Sequence, residues 1–443
     1  MVVWPAFYLA TRFMSQYFLA RSTRIRISAF TLFYMAQGIP IGLMSVAMPG
    51  WFASESLDGA HIATFVSVTG LPWGFKLIAG PFMDRFSFPA MGYRRPWVMA
   101  AQGGLTVAML CMAAASDVND HFALMVTVGF IINCFAAVQD VAVDGMAIDI
   151  LPESERGRAN AFMAFGQVAG YSVYGALCGW LLTNYGLPVT SLICGVSILA
   201  VFVFVTLVRE REGERLMPWS PGEATPRALS PAASFREIFR DLIRVVFLPM
   251  SLILTAAEFC ARMGAGISLT IAPLIAVQDL GYTAPQYAYW SGIASAVGAV
   301  IGLGFGPLVD RYGAKPLLMA GLLVVIFSLL VFVLAPPLRP SDTFVVTLYL
   351  IYQIGIQMMF VAVIAGFMIM CWTQVAATQF SIYMSLANLA RSVGAAIYGV
   401  VAAHIANVDA IYMIIGFNAL AVVLLLFFDL ESHKSRMASL QSA

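Results

Sequence analysis

The chain has 443 residues, 61% of them hydrophobic and only 11% charged, with a formal net charge of +1. Soluble domains carry roughly a quarter charged residues, so this composition excludes a soluble enzyme. Its near-neutral balance gives no reason to expect a nucleic-acid partner.

The mean hydropathy of +0.86 is concentrated in long runs. Runs of about 20 apolar residues match the roughly 30 Å hydrocarbon core as helices, and they lack the period-two alternation of barrel strands. The expected class is an all-α membrane protein with twelve transmembrane helices. Residues 1–26 read as a cytosolic N-terminal tail, aromatic and basic (Arg12, Arg21, Arg24, Arg26), or else as a start codon placed too early. The spans follow at about 27–53, 60–83, 96–116, 122–148, 157–183 and 188–208. The polar stretch 209–244, rich in Arg, Glu, Pro and Ser, reads as a cytoplasmic linker. Six more spans run at about 245–278, 285–309, 316–335, 343–371, 374–402 and 408–428, and 429–443 is a C-terminal tail.

Two internal echoes organise these segments. Gly80-Pro81-Phe82-Met83-Asp84-Arg85 returns as Gly306-Pro307-Leu308-Val309-Asp310-Arg311, 226 positions later. Gly170-Tyr171-Ser172-Val173-Tyr174-Gly175 returns as Gly394-Ala395-Ala396-Ile397-Tyr398-Gly399 at an offset of 224. Two echoes at nearly one offset imply two parallel six-helix halves, 27–208 and 245–428. Cations outside the spans crowd onto the loops and tails of one side, and Arg339 alone falls on the other. The positive-inside rule then places both termini and the linker in the cytoplasm. The six cysteines lie in or beside apolar segments without a C-x-x-C pair; they read as small buried residues, and neither metal nor cofactor is expected.

Ionisable residues inside spans are costly, about 2.5–3.5 kcal/mol on insertion scales, so each needs a reason. Lys76 lies roughly 12 Å along its span from Asp84. Asp140 and Asp144 share a helix face. Either these groups form a buried pair that fixes packing, or a carboxylate changes partner during a cycle and carries a proton. Glu258 and Arg262 are likewise four apart. They could neutralise each other; alternatively Arg262 and Arg391 form an anion-binding pair with Glu258 titratable, since guanidinium suits phosphate or carboxylate. Gln167 is the repeat equivalent of Arg391. Gln37, beside a Gly-Ile-Pro break, and Gln353 and Gln357, on one face, are either interhelical glue or cavity lining.

Two parallel halves, a central linker and a duplicated G-P-x-x-D-R turn followed by basic residues resemble the major facilitator superfamily. The resemblance implies a fold in which spans one, four, seven and ten line a cavity. Asp84, Arg85, Arg94, Arg95, Asp310 and Arg311 would then form cytoplasmic latches that break and remake between states; without it they are helix-end caps and positive-inside arginines. Narrower stretches resemble the peptide/acetyl-coenzyme A/drug transporter family. These are Gln37-Gly38-Ile39-Pro40-Ile41-Gly42-Leu43, Leu71-Pro72-Trp73-Gly74-Phe75-Lys76-Leu77, Val138-Gln139-Asp140-Val141-Ala142-Val143-Asp144-Gly145, Phe165-Gly166-Gln167-Val168-Ala169-Gly170-Tyr171 and Ala377-Thr378-Gln379-Phe380. This implies a monomeric inner-membrane transporter moving an anionic or amphipathic solute (muropeptide, peptide, acyl-CoA or siderophore), with the proton as a second partner.

No nucleotide-binding G-x-x-x-x-G-K-[ST] is present, which disfavours ATP drive. A membrane-embedded acyltransferase would want a base near its substrate. The histidines, His61, His121, His404 and His433, fall in loops, span ends or a tail. A signalling protein would need an output module, and the linker offers no helical pattern long enough to be one.

Overall fold

The computed structural model describes residues 18–86, 88–222, 235–372 and 375–441. Among them the architecture is helical without a strand; Phe18 and Arg209 make a single isolated bridge. Helix α1 is Thr23–Gly42, starting inside the expected tail because the Ser22 side chain caps it. A π-helical turn, Leu43–Ala47, follows Pro40 and leads into α2, Met48–Ser54. Proline donates no hydrogen bond, and such interruptions are where membrane helices accommodate it. Helix α3, Gly59–Phe75, passes through the 3-10 turn Lys76–Ile78 into α4, Ala79–Arg85.

Helices α5 (Arg95–Met112), α6 (Val118–Ile150) and α7 (Glu153–Leu207) complete the first part of the chain. Helix α7 is too long for one crossing and is broken at Gly186, whose φ of 75° is left-handed. Only glycine enters that region without steric cost, so one residue breaks α7 into two helical runs. The second part contains α8 (Phe235–Val246), α9 (Pro249–Leu274), α10 (Ala284–Gly302), α11 (Phe305–Tyr312), α12 (Ala314–Leu334), α13 (Asp342–Met370), α14 (Ala376–Val401), α15 (Ile411–Leu426) and α16 (Leu430–Gln441). Both copies of the Gly-Pro-x-x-Asp-Arg echo form short helices, α4 and α11, set off from the helix before.

Seven helices among the described residues are long and apolar enough to cross a membrane, or nine if two bent pairs each count as one span. One such pair is α10 with α11, bent by 44°. Large apolar side chains such as Phe165, Val300 and Leu334 face outward, as a lipid solvent favours. Two stretches read as polar connections contain helices. Helix α8 lies in the linker and α16 in the C-terminal tail. The buried His433 of α16 places Nε2 3.1 Å from the Met370 carbonyl at the end of α13, and Gln379 Nε2 donates to the same carbonyl at 3.2 Å.

The described residues group into two compact units. One comprises 18–43, 78–86, 88–174 and 184–222; the other comprises 44–77, 175–183, 235–372 and 375–441. In the first, α1 packs on α7 through glycines. A Cβ on Gly170 would strike the Met35 carbonyl, one on Gly166 the Thr31 carbonyl, and one on Gly38 would lie 2.5 Å from the Tyr171 nitrogen. In the second, α9 packs on α14 in the same manner: Gly394 abuts the Met263 carbonyl and Gly266 the Arg391 carbonyl. Small residues at such seams let helix backbones approach closely. The second unit also packs α3 against α14, and the Gln278 side-chain amide donates to the Ala53 and Leu57 carbonyls, at 3.0 Å each.

Candidate substrate and coupling sites

In the first unit the α1–α7 seam carries a chain of amides that ends on a carboxylate. Gln167 Nε2 donates to Gln37 Oε1 at 2.5 Å, and Gln37 Nε2 donates to Asp140 Oδ1 at 2.7 Å. An amide has one acceptor end and one donor end. With its oxygen taken by Gln167, Gln37 presents N–H to Asp140, and that oxygen of Asp140 must accept. One turn along α6, Asp144 accepts from the Tyr34 hydroxyl. Gln139 ties α6 to α1 as well, donating to the Phe33 carbonyl at 2.9 Å. Thus α1, α6 and α7 meet around two carboxylates, Asp140 accepting from Gln37 and Asp144 from Tyr34. Gln37 and Asp140 are both buried.

The second unit is built from charge. Arg262 Nε lies 2.5 Å from Glu258 Oε1 within α9, and Glu258 is almost fully buried. The Arg262 guanidinium sits over the Phe360 ring of α13, 5.5 Å from its centroid. Arg391 donates to Asn388 Oδ1 at 2.5 Å, one turn back on α14. The self-neutralising Glu258–Arg262 pair is therefore formed, and Arg391 has a neutral partner. Gln353 donates to Ser295 at 3.2 Å and to Tyr349 at 3.4 Å, joining α13 to α10. Gln357 lies against Gly302 on the same pair of helices. Lys76, at the α3 break, has its Nζ 6.0 Å from the Trp73 ring centroid.

At the end of the first unit where α5 begins, the two arginines of the expected latch differ. Arg94 Nε lies 3.6 Å from Asp149. Arg95 is buried and donates only to carbonyls, those of Val205 (3.1 Å), Met91 (3.4 Å), Arg215 (3.0 Å), Leu216 (2.8 Å) and Thr206. Burial pulls it down to about 10, and the nearby Glu214 and Glu210 oppose that shift. The buried Glu210 carboxylate accepts from the backbone N–H groups of Tyr93 (3.1 Å), Arg94 (2.9 Å) and Arg95 (2.5 Å). These are the otherwise unpaired donors that a helix start leaves. Asp310 and Arg311 are exposed, and the Arg311 guanidinium lies 5.2 Å from the Tyr312 ring centroid. The side chains of Asp84 and Arg85 lie outside the described residues.

The fold and these polar helices are those of a known group: residues 27–397 match the Major Facilitator Superfamily. The chain belongs to that superfamily. It is accordingly a multi-pass membrane transporter. The anhydromuropeptide permease of Escherichia coli K12 is 31% identical over 172 residues, covering 39% of this chain and 35% of that protein. The chain thus aligns with about a third of that relative's length. A putative transporter, AmpG 3, of Rickettsia prowazekii is 25% identical over 403 residues, covering 86% of this chain and 90% of that one. The crystal structure of a D-xylose-proton symporter superposes with a TM-score of 0.70, covering 91% of this chain and 97% of that one at 14% identity, a likeness of superfamily fold.

Three participants escape a reading of the sequence. Tyr34 and Gln37 are three apart on α1 and Asp140 and Asp144 four apart on α6, so matching same-face pairs could have suggested the contacts between them. Asn388 is one turn from Arg391 and was recoverable in the same way. Glu210 sits in a charged run with nothing to mark it.

Proposed function

We propose that this chain is a proton-coupled secondary transporter of the bacterial inner membrane. It moves an anionic or amphipathic solute by alternating access between two six-helix halves, and works as a monomer with cytoplasmic termini and twelve spans. The observation that carries this reading is the buried Asp140, held by the neutral donor Gln37. A buried carboxylate can load and release a proton when its surroundings change. Arg262 and Arg391, on the charged side, suit the carboxylate or phosphate groups of the solute. The relatives named as anhydromuropeptide permease and AmpG-type transporter favour a muropeptide over the acyl-CoA, siderophore and peptide alternatives. Arg94 with Asp149, and the exposed Asp310 and Arg311, are the parts of the latch that rearrange in this reading; Arg95 and Glu210 are its fixed frame.

The test is uptake into proteoliposomes under an imposed pH gradient, with anhydro-muropeptide, acetyl-coenzyme A, a siderophore and short peptides as the panel. One compound should accumulate, and an uncoupler should abolish the accumulation. Asp140→Asn or Glu258→Gln should remove accumulation while counterflow of that solute persists. Normal accumulation by both variants would refute the coupling assignment, and uptake indifferent to the gradient would refute proton drive.

A further inference from the structure

Helix α8 of the linker has two unlike faces. Leu242 and Val245 are buried with Trp372 and Val375, at the junction where α13 ends and α14 begins; Val246, Leu248, Ile382 and Met437 pack around them. That face fastens α8 to the end of the unit. The other face is exposed and is not simply polar. Arg240 and Arg244, four apart, are exposed. Ile243 and Phe247, also four apart and beside them in the helical period, are 43% and 65% exposed. Two residues after Phe247, Pro249 opens α9, which with the π-helical turn Ile275–Asp279 after it makes a membrane-crossing candidate. Helix α8 therefore packs against the ends of neighbouring long helices and directly precedes a candidate span.

An exposed aliphatic and an exposed phenyl ring interleaved with two guanidiniums suit neither open water nor the hydrocarbon core. They suit the headgroup boundary, where apolar groups sink about 5–10 Å and arginines meet lipid phosphate. We propose that α8 is an interfacial helix that binds the anionic phospholipid surface through Arg240 and Arg244, with Ile243 and Phe247 seated at the acyl boundary. The linker is then a membrane-attached strut, and the charge of the lipid sets how firmly it is held.

Full-length protein is placed in nanodiscs of pure phosphatidylcholine, and of equal parts phosphatidylcholine and phosphatidylglycerol, and amide exchange is followed through residues 240–248. Exchange should be about tenfold slower in the anionic discs, the scale expected of two arginines near a charged surface. R240Q/R244Q should erase the difference between the lipids. I243S/F247S should speed exchange in both while leaving the difference in place. Inorganic phosphate added to phosphatidylcholine discs should change nothing. Equal exchange of the wild type in the two discs overturns the proposal, as does a difference that survives R240Q/R244Q. Protection by phosphate alone overturns it in favour of a soluble-anion site.

Discussion

The α1–α7 seam of the first unit and the α9–α14 seam of the second are built on the same backbone contact but carry opposite chemistry. Gly170 and Gly394, 224 residues apart, each bring their helix onto the carbonyl of a methionine, Met35 in one case and Met263 in the other. Beside these glycines, at the same offset, stand Gln167 and Arg391. The first extends a neutral amide chain to Asp140; the second is a cation next to Asn388, on a seam whose other helix carries the Glu258–Arg262 pair. The contact that lets the backbones touch is repeated, while the side chain next to it is free to differ. One scaffold contact is thus used twice, beside a neutral amide chain in one copy and beside charged side chains in the other.

The largest test of this comparison is steric. Gly170→Val and Gly394→Val should each cost about 3 kcal/mol or more, because the added carbons meet backbone that cannot yield. Thermal unfolding of the purified protein should report it. Gly306→Ala, at a position with nothing within 4 Å, should stay within about 0.5 kcal/mol. If Gly170→Val is tolerated while Gly394→Val is not, the seams are not equivalent.

Removing a partner should separate the two chemistries. Arg262→Met leaves Glu258 buried beside nothing positive on α9, a loss of about 3–5 kcal/mol if that charge persists. Gln37→Leu leaves Asp140 and Gln167 without their shared amide, and about 1–3 kcal/mol is expected. Melting curves of both variants beside Glu258→Met/Arg262→Met sharpen the point, since an apolar replacement of the whole pair should recover most of the loss.

The smallest effect concerns pH. The start of α1 is tied to the start of α7 by Arg26, whose guanidinium lies 2.7 Å from Glu155. Hydrogen bonds from Arg26 and then Thr23 hold Glu155 below its ordinary value of 4.5. A depressed carboxylate stabilises the fold above its unfolded value and loses that contribution as pH falls through the folded one. The wild type should therefore lose melting temperature below about pH 4.5 more steeply than Glu155→Gln. Parallel slopes would show that this tie does not govern the seam.

The helical class was legible because lipid demands long apolar runs, and the second echo proved to mark the seam glycines. Glu258 and Arg262 were legible as a pair because one helix turn joins them. The partners of Asp140 were not, since Gln37 lies 103 residues away and only packing brings it near. Helix α8 was missed for a different reason. Its apolar residues Phe235, Ile238, Phe239, Leu242, Val245 and Val246 do recur at helical spacing, but the Arg-, Glu-, Pro- and Ser-rich residues before them set the reading of the whole linker. Arg95 was legible as a cation at a helix start, but four of its five carbonyl partners lie on a return of the chain more than a hundred residues on.

The convergence of His433 and Gln379 on one carbonyl, that of Met370, bears on how the protein is handled at the bench. A deletion ending before Leu430 would remove the histidine that closes this turn and leave Gln379 to hold it, so shortened versions should give lower yields from detergent.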